Sequence, residues 1–480
     1  MRRDDPAQPA CADCALAGGD ATRRAPLAPG SLAGGADPGR YRIVTWGCQM
    51  NVHDSEKLAG ALEREGYRPA AALEDADVIL LNTCSIREKA AEKLFSELGR
   101  LKPLKRERPG LVLGVCGCVA QQEGERIFER APHVDLVVGP RAIGSLPLAV
   151  GRLRRSPQSA GRHVDTGYRD DSIRFPFEEI RREGASAGKS FVTVIEGCNH
   201  RCTYCIVPTT RGREICRELD SVLDELRALV AGGVLEVELL GQTVNAYRDS
   251  RGRTLADLLL AAARLPGLRR LRFTTSHPAQ MTERLIDAMA EASPPVCPYL
   301  HLPVQSGSSA VLAAMRRGYD RRRYLATIAA LRRRIPGIAL GTDVIVGFPT
   351  EGENDFVETL SLLDEVEFDT VYSFAYSARP GTAAERLGDL VPAALKAERL
   401  QRLQQRQRGI QERRMRRWVG CEVEVLVTGR SRRSRERWTG RTPENRVVNF
   451  GGPATPGRLA RVRVVASSAL ALRGSVAPPA

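Results

Sequence analysis

The sequence predicts an α/β protein in three parts: an open parallel α/β sheet, a partial βα barrel of the TIM type, and a small antiparallel β-barrel. Two observations predict the first two parts. Strand-like apolar runs alternate with helix-forming segments in the first third of the chain, and the alternation starts again after a break. A third observation predicts the last part, where short β-like runs are separated by turn residues.

The first α/β part is predicted to span residues 41–152. Its strand candidates are YRIVTWGC, ADVILLNTC, LVLGVCGC and VDLVVG. A helix is predicted over residues 54–65, with Asp54 or Ser55 as its N-cap. The carboxyl ends of parallel strands line a ligand crevice. Cysteines at equivalent strand ends can therefore meet in space, and three such cysteines exist: Cys48, Cys84 and Cys118.

The second α/β part is predicted to span residues 189–415. Its strand candidates are FVTVIEG, VLEVELLG, RLRFTT, YLHLPV, IALGTDVIVGF and FDTVYSFAY, with helical segments between them. Six βα-like units in about 200 residues suit a partial or full βα barrel. Residues 393–417 are polar and helix-forming, which predicts a connecting helix.

The remaining segments are predicted from their composition. Runs such as CEVEVLVTG, RVVNFGG and ARVRVVAS predict a small antiparallel barrel over residues 416–470. Residues 1–40 are rich in Ala, Gly, Pro and Asp, which predicts a disordered tail. Residues 153–188 are predicted to form a linker with a short ordered segment at most, and residues 471–480 a frayed tail.

The 480-residue chain is basic, with 72 Lys and Arg against 57 Asp and Glu and a net charge of +15. This balance favours a polyanionic partner such as RNA or DNA. The alternative is a general preference for arginine, which would spread the charge evenly. No run of 18 apolar residues exists and the N-terminus lacks a signal-peptide pattern, so we expect a cytoplasmic protein without a membrane partner.

Twelve cysteines in such a chain suggest metal ligands or redox chemistry before disulfides. The strongest signal is Cys198-x3-Cys202-x2-Cys205 after a predicted strand. A 4Fe-4S cluster normally takes four cysteines, so three leave one iron open to an outside molecule. A zinc site or a ferredoxin fragment is the alternative, but zinc usually takes paired C-x2-C units. The spacing resembles the radical S-adenosylmethionine (SAM) superfamily, in which SAM binds the open iron and is cleaved to a radical.

The sequence motifs around the three strand-end cysteines extend this resemblance. They are GCQMNVHDSE, NTCSIREKA and GCVAQQ. With the later triad and the C-terminal barrel, they resemble the radical SAM methylthiotransferase family over residues 41–467. The resemblance implies a second 4Fe-4S cluster, held by Cys48, Cys84 and Cys118 with one open iron, which provides or carries the transferred sulfur.

The other cysteines need separate interpretations. Cys116 competes with Cys118, because alternation along a strand points both to one face. The motif of the family, Gly-Cys followed closely by Gln, favours Cys118. Cys11 and Cys14 form an incidental pair or half of a zinc site. The rest are interpreted as structural: Cys216, Cys297 and Cys421.

Three segments of the barrel match the family around SAM. They are LLGQTVNAY (239–247), HLPVQSGSSAVLAAMRRGY (301–319) and GTDVIVGFPTE (341–351). The resemblance implies four cofactor-binding residues: Gln305, Ser306, Val344 and Gly347. The alternative is that each segment is a glycine-containing turn that only connects two elements.

Basic residues cluster near the C-terminus, in ERRMRRW (412–418) and GRSRRSRERWTGRTPENR (429–446). Arginines with Trp418, Trp438 and Phe450 could supply charge for phosphates and planes for unstacked bases. A charge run is otherwise just a solvated face. GRTPENRVVNF resembles the RNA-binding TRAM module, which implies tRNA as the partner. The target base must be unstacked, as in an anticodon loop.

The family has three branches, which act on isopentenylated adenosine in tRNA, on threonylcarbamoyl-adenosine in tRNA, or on a ribosomal-protein aspartate. SIRE after Cys84 and QMN after Cys48 resemble the first. The resemblance implies methylthiolation of C2 of N(6)-dimethylallyladenosine at position 37, with SAM as methyl donor and radical source. It also implies an electron-donor protein, a sulfur donor and a monomer. A non-catalytic iron–sulfur RNA-binding protein is the remaining alternative.

The sequence departs from the family pattern at four positions near these motifs. Thr243 stands where Asn is usual, Cys216 where Ser is usual, Glu218 where Pro is usual, and Trp46 where Tyr or Phe is more common. These departures affect details of the substrate pocket and leave both cysteine triads intact.

Overall fold

The computed structural model describes residues 39–85, 88–156, 161–168, 188–431 and 434–477. The predictions for residues 1–38, including the Cys11 and Cys14 pair, lie outside the described residues, as does most of the predicted linker. Among the residues that the structure describes, no helix combines the length and the apolar character that crossing a bilayer requires.

Six parallel strands form the first sheet, in the order β2-β1-β3-β4-β5-β6. They are β1 (Arg40–Trp46), β2 (Arg68–Pro69), β3 (Val78–Thr83), β4 (Val112–Gly117), β5 (Leu136–Val138) and β6 (His163–Asp165). The helices of this part are α1 (Gln49–Arg64), α2 (Glu88–Glu107), α3 (Cys118–Glu123), α4 (Arg126–Arg130) and α5 (Leu146–Arg155). Every residue of β3 and β4 is buried, as expected for central strands covered on both faces.

Helix α1 starts five residues earlier than the sequence predicts, at Gln49 instead of Asp54. Cys48 is its N-cap, and the Asn51 side-chain oxygen accepts a hydrogen bond from the Cys48 backbone N–H at 3.4 Å. Asp54 is fully inside the helix and buried. The early start has a chemical consequence, because it places Cys48 at the positive end of the helix dipole.

The second part carries six parallel strands in chain order, as predicted, in two three-stranded sheets joined through a parallel bridge between Leu271 and Val296. The strands are β7 (Lys189–Thr193), β10 (Glu236–Leu240), β11 (Arg270–Phe273), β12 (Tyr299–His301), β13 (Ala339–Val346) and β14 (Thr370–Ala375). A short antiparallel pair, β8 (Ile195–Glu196) and β9 (Ile215–Cys216), flanks the cysteine loop.

Helices cover the outside of this partial barrel. They are α6 (Val207–Arg211), α7 (Leu219–Ala231), α8 (Leu255–Ala263), α9 (Glu283–Glu291), α10 (Ser309–Ala314), α11 (Arg321–Arg334), α12 (Glu353–Val366) and α13 (Ala393–Arg416). Their apolar faces and the strands form the largest hydrophobic core of the chain. Helix α13 is the predicted connecting helix.

The C-terminal part is a closed barrel in the order β15-β16-β17-β19-β18. Its strands are β15 (Glu422–Ser431), β16 (Ser434–Arg441), β17 (Val447–Gly451), β18 (Leu459–Ser467) and β19 (Leu472–Val476). Strand β19 differs from the sequence prediction, which placed residues 471–480 in a tail. Its sequence, LRGSV, has a weak β pattern, yet Gly474 is needed there because a Cβ would lie 2.2 Å from the Arg463 carbonyl oxygen.

Buried arginines attach this barrel to the second part. Arg272 on β11 donates to the carbonyl oxygens of Pro443 and Thr442, each at 2.6 Å. Arg446 of the barrel donates to Asp369 at 2.6 Å. Hydrogen bonds from a buried charge to backbone carbonyls hold a contact in one geometry.

Candidate metal centres

Three cysteines lie together at the first sheet. Cys48 follows β1, Cys84 follows β3, and Cys118 begins α3 directly after β4. These strands are adjacent and parallel, so their carboxyl ends meet at one edge. The Cys48 and Cys84 side chains are hydrogen-bonded to each other. The structure thus brings together the predicted trio, which we name the first cysteine site.

Cys48 and Cys118 of the first cysteine site have different electrostatic surroundings, so their thiol pKa values shift in opposite directions. The hydrogen bond with Cys84 lowers the pKa of the Cys48 thiol to about 6, against the opposing effect of burial. Burial raises the pKa of Cys118, and the charge of Arg211 counteracts that rise. Iron binds the thiolate, so neighbours that favour the anion favour metal binding.

Arg211 reaches this site from the second part of the chain. Its Nε donates to Cys118 Sγ at 3.2 Å, and its Nη2 donates to Asp54 Oδ2 on α1 at 2.5 Å. The side chains of Arg211 and Asp54 are only 3% and 2% exposed. Buried charges are stable only when they are paired and hydrogen-bonded, so this contact is part of the site and not a surface feature.

Buried side-chain amides, those of Asn51 and Asn82, stabilise the surroundings of Cys48. The Cys48 thiol lies 3.4 Å from Asn51 Oδ1. Asn82 on β3 donates to the Asn51 carbonyl oxygen at 2.9 Å and to Ser55 Oγ at 2.8 Å. The close approach of β4 requires Gly117, whose Cβ would lie 2.2 Å from Asn82 Oδ1. These contacts fix the orientation of the cysteine-bearing loops.

Four buried polar atoms around the first cysteine site have no hydrogen-bond partner among the described residues: Asp54 Oδ1, Thr83 Oγ1, Ser85 Oγ and Arg211 Nη1. Unpaired buried donors are costly, so they indicate a partner that the protein does not itself supply. A sulfide-rich anionic cluster would accept hydrogen bonds from the hydroxyls and the guanidinium, although not from the Asp54 oxygen. The sulfur donors and these groups therefore fit an iron–sulfur cluster.

In the described part of the chain, no group of three or more His, Cys, Asp or Glu residues is placed to hold a single metal ion. A single zinc ion keeps two thiolates within about 4.6 Å, which is twice a Zn–S bond of about 2.3 Å. The thiols of Cys48 and Cys84 are close enough to be hydrogen-bonded, but among the described residues no third side chain is placed to complete a site for a single ion.

Cys116 lies apart from this chemistry. It is buried in the core on one face of the first sheet, among residues such as Val112 and Leu136. Burial raises the pKa of its thiol to about 12. A thiol in apolar surroundings behaves as a small hydrophobic side chain, which supports the choice of Cys118.

The second cysteine site consists of Cys198, Cys202 and Cys205, on the loop between β8 and α6. The Cys205 N–H donates to the Cys202 carbonyl oxygen at 3.1 Å, which curls the loop so that its thiols influence one another. Burial raises the pKa of Cys205 to about 12. Cys198 Sγ lies 3.3 Å from Thr243 Oγ1. Thr243 is thus part of the site, at a position where the family usually has Asn.

An arginine also contacts the second cysteine site. Arg317 Nη1 donates to Cys202 Sγ at 3.2 Å, Nη2 donates to the Pro303 carbonyl oxygen, and Nε donates to Tyr319 Oη. Arg317 is 5% exposed. Each triad therefore has one buried guanidinium on one thiol, a positive charge that suits an anionic cluster.

Two stacked imidazoles flank the same loop. The rings of His200 and His277 are parallel within 10°, with centroids 3.9 Å apart. Asn245 holds the backbone of His277 through two hydrogen bonds, of 2.8 and 2.9 Å. Burial, with the charge of Arg317, lowers the pKa of His277 to about 2, so its ring is neutral. The stack places His200, in the middle of the cysteine loop, against His277, in the segment that follows β11.

The four residues predicted to bind SAM occupy different surroundings. Val344 is fully buried in the barrel core, and Ser306 is fully buried with Oγ 3.3 Å from Thr359 Oγ1. Gln305 has a φ of +74° and pairs with β13. Gly347 has a φ of +71°. The side chains of Ser306 and Val344 are thus engaged in interior packing.

Both cysteine sites lie close to the contact between the first two parts. Lys57 on α1 donates to Glu196 on β8 at 2.8 Å. Helix α6, which follows Cys205 in sequence, packs against α3, which carries Cys118. Arg211 ends α6, so one short helix connects the two sites.

The C-terminal barrel presents only part of the predicted RNA-binding set. Arg430 lies over the Trp438 ring at 3.6 Å, and Arg446 lies over the Trp418 ring at 4.9 Å. Phe450 was predicted as a stacking plane, and this prediction is wrong because Phe450 is fully buried in the barrel core. It points inward because residues alternate along β17.

Comparison with known proteins agrees with this architecture. Residues 40–139 match the uncharacterized protein family UPF0004, residues 192–363 match the radical SAM superfamily, and residues 416–477 match the TRAM domain. Among solved structures, the radical SAM methyltransferase TsrM from Kitasatospora setae is similar with a TM-score of 0.52 and 16% identity, over 72% of this chain and 76% of that chain. This likeness concerns the fold.

Several proteins are much more similar to this chain in sequence than TsrM is. The tRNA-2-methylthio-N(6)-dimethylallyladenosine synthase of Dichelobacter nodosus is 48% identical over 438 residues, which cover 90% of this chain and 94% of that protein. The enzyme of the same name from Alkalilimnicola ehrlichii is 47% identical over 91% of this chain and 97% of that protein. These matches confirm the predicted fold class, enzyme class and cofactors. The chain therefore belongs to the tRNA-2-methylthio-N(6)-dimethylallyladenosine synthase family of radical SAM methylthiotransferases.

Proposed function

We propose that the chain attaches a methylthio group to C2 of N(6)-dimethylallyladenosine at position 37 of tRNA, with SAM as methyl donor and radical source. One observation carries this proposal: two cysteine triads, each with a buried arginine on one thiol, lie close to the same contact between the first two parts. Two such centres fit a radical reaction that also transfers sulfur, because one can cleave SAM while the other supplies the sulfur. The identity to synthases of this name supports the choice of substrate.

The first cysteine site would hold one 4Fe-4S cluster and the second cysteine site another, each with one iron left open. When bound, these clusters supply the transferred sulfur and the electron that cleaves SAM, respectively. The protein contributes ligands, charge compensation and orientation. Asn82 and Gly117 orient the loops of the first site, while Arg317 and Thr243 contact thiols of the second.

SAM would lie beside the second site, along the carboxyl ends of the barrel strands. Gln305, with its left-handed backbone, and the Gly347 turn are on this edge, and the buried Ser306 and Val344 would support it from the interior. The Gly347 N–H donates to Glu351 Oε1 at 2.7 Å, and Arg399 pairs with the same carboxylate at 2.9 Å. This buried pair makes the turn rigid, as a binding loop for a charged cofactor requires.

The anticodon loop of tRNA would contact the C-terminal barrel. Exposed arginines on β16 and the Arg430–Trp438 pair offer charge for phosphates and a plane for an unstacked base. Such a loop presents its bases outside a helix, so C2 of the adenine can reach the second site. We further propose a cytoplasmic monomer that takes electrons from a donor protein and sulfur from a separate donor.

The proposal is tested with anaerobically reconstituted protein, SAM, a reductant and tRNA that carries N(6)-dimethylallyladenosine. Mass spectrometry of the nucleosides is expected to find the methylthio product only with this tRNA. Parallel reactions contain threonylcarbamoyl-adenosine tRNA or ribosomal protein. A product in either of these alone would reject the proposed substrate, and SAM that stays intact in every reaction would indicate a non-catalytic protein.

Matched variants of the same chain control the reaction. Replacing Cys198, Cys202 and Cys205 by Ala removes the second site, and the product should disappear. Cys421→Ala changes an exposed cysteine far from both sites in sequence. That variant should form product at the parent rate. Equal loss in both would indicate a general effect of cysteine replacement.

A further inference from the structure

Arg211 occupies a position that the known roles of the two clusters do not explain. It belongs to the second part of the chain and ends α6, the five-residue helix that follows the second cysteine site. Its guanidinium nevertheless contacts Cys118 of the first cysteine site, at 3.2 Å. A helix rises about 1.5 Å per residue, so α6 spans only about 7.5 Å. The chain thus passes directly from a ligand of one site to a contact with a ligand of the other.

The contact between Arg211 and the first cysteine site involves two nitrogens of the guanidinium. Nε and Nη2 form one edge of the guanidinium, and this edge bridges Cys118 Sγ and Asp54 Oδ2. Asp54 lies on α1, whose N-cap is Cys48. Arg211 therefore joins elements that carry two of the three cysteines. Its remaining nitrogen, Nη1, is buried without a hydrogen-bond partner among the described residues.

The positive charge of Arg211 lies next to a thiol ligand of the proposed first cluster. A cluster with three thiolates is anionic, and each added electron makes it more so. A buried cation beside a ligand sulfur stabilises the reduced form more than the oxidised form, because it interacts more strongly with the larger negative charge. A hydrogen bond to the sulfur acts in the same direction.

We infer that Arg211 is a positioning residue for the first cluster. It holds Cys118 against the radical SAM part of the chain and raises the reduction potential of that cluster. The inference rests on the proposed cluster ligands. Arg211 is not a ligand and it is not assigned to the substrate, so its effect should be visible without tRNA.

A merely structural role is the competing explanation, and the chain offers a matched control. Arg141 is also buried, at 5% exposure, and also crosses between the two parts, where its Nη2 donates to the Arg213 carbonyl oxygen at 2.5 Å. Among the described residues it forms no hydrogen bond with a thiol. Arg141→Gln therefore removes a comparable buried cation from the same interface and leaves Cys118 with its partner.

The test uses the full chain with Cys198, Cys202 and Cys205 replaced by Ala, so that only the first cluster forms. Iron content and the reduction potential, followed by electron paramagnetic resonance, are measured for this parent and with Arg211→Gln, Arg211→Lys or Arg141→Gln added. We expect Arg211→Gln to lower the potential by at least about 59 mV, which is a tenfold change in the one-electron equilibrium. Arg211→Lys should fall between it and the parent, and Arg141→Gln should match the parent.

The outcomes separate the role of Arg211 from the assignment of the cluster ligands. A parent that binds no iron would contradict the proposed ligands and so the proposed function. A parent that binds iron, with an Arg211→Gln variant at the parent potential, would overturn only the role of Arg211, as would an equal shift in Arg141→Gln. If Arg211→Gln loses its iron, Arg211→Lys decides: a potential below that of the parent supports the inference, and an unchanged potential overturns it.

Discussion

Arg317 Nη1 lies 3.2 Å from Cys202 Sγ, and the same buried guanidinium donates to the Pro303 carbonyl oxygen. Arg317→Met would remove this charge-assisted hydrogen bond and leave the carbonyl with only a longer contact to Tyr319 Oη at 3.3 Å, so we expect the free energy of unfolding to fall by about 1.5–3 kcal/mol. We also expect slower SAM cleavage, because the second cluster loses a compensating charge. Urea unfolding and 5′-deoxyadenosine formation measure the two effects. Arg316→Met, at the exposed neighbouring residue, is the control and should change neither.

The Gly347 turn gives a second prediction. Gly347 has a φ of +71°, and an added Cβ would lie 2.5 Å from Lys396 Cγ. Gly347→Ala should therefore weaken SAM binding, measured by equilibrium dialysis, and lower the melting temperature. Gly420→Ala is the matched control, because Gly420 has a φ of +89° with nothing within 4 Å. It should cost only the backbone strain of about 1–2 kcal/mol. Equal SAM affinity in the two variants would count against the proposed binding turn.

His277 gives a pH-dependent prediction. Burial lowers its pKa in the folded protein to about 2, whereas an unfolded histidine titrates near 6.5. Below about pH 6.5 the unfolded chain gains a proton that the folded protein does not, so stability falls as the pH falls. His277→Asn keeps a side-chain acceptor for the Ala279 N–H but does not titrate.

The loss of stability from pH 7.5 to pH 5.5 should therefore be about 1 kcal/mol smaller in His277→Asn than in the parent. Urea unfolding at both pH values measures this difference. The pH 7.5 data serve as the internal control for any pH-independent cost of the substitution. Parallel pH profiles for the two proteins would mean that His277 is protonated in the folded state.

The C-terminal barrel gives a prediction for RNA. Arg435 and Arg437 are exposed on β16 beside Trp438. Replacing both by Gln should weaken tRNA binding and reduce the slope of log affinity against log salt by about 1.4, or about 0.7 for each lost phosphate contact with a single strand. Fluorescence anisotropy at several salt concentrations measures the slope. Glu436→Gln, between the two arginines, should leave the slope unchanged, and a slope unaffected by the double variant would place the RNA elsewhere.

Much of this arrangement can be predicted from the sequence, because it depends on local patterns. Apolar runs alternating with helices predict parallel strands, and parallel strands in neighbouring positions bring Cys48, Cys84 and Cys118 to one edge. The second triad lies within eight residues, so its convergence needs no long-range information. Six strands of the barrel also follow directly from the pattern.

Long-range contacts explain what the sequence analysis missed. Arg211 and Arg317 looked like two of many arginines, because their thiol partners are 93 and 115 residues away in sequence. The start of α1 depends on a cap at Cys48 that lacks the usual Ser, Thr or Asp signal. Phe450 and β19 were misjudged because barrel closure, and not local composition, decides which residues are interior.

Iron content measures whether the two cysteine triads each hold a separate iron–sulfur cluster, which is the claim on which the proposed function depends. Iron and sulfide are determined after anaerobic reconstitution for the parent, for the variant with Cys48, Cys84 and Cys118 replaced by Ala, and for the variant with Cys198, Cys202 and Cys205 replaced by Ala. We predict about eight irons per chain in the parent and about four in each variant. A parent with only about four irons, or a triple variant that keeps the parent content, would contradict the claim.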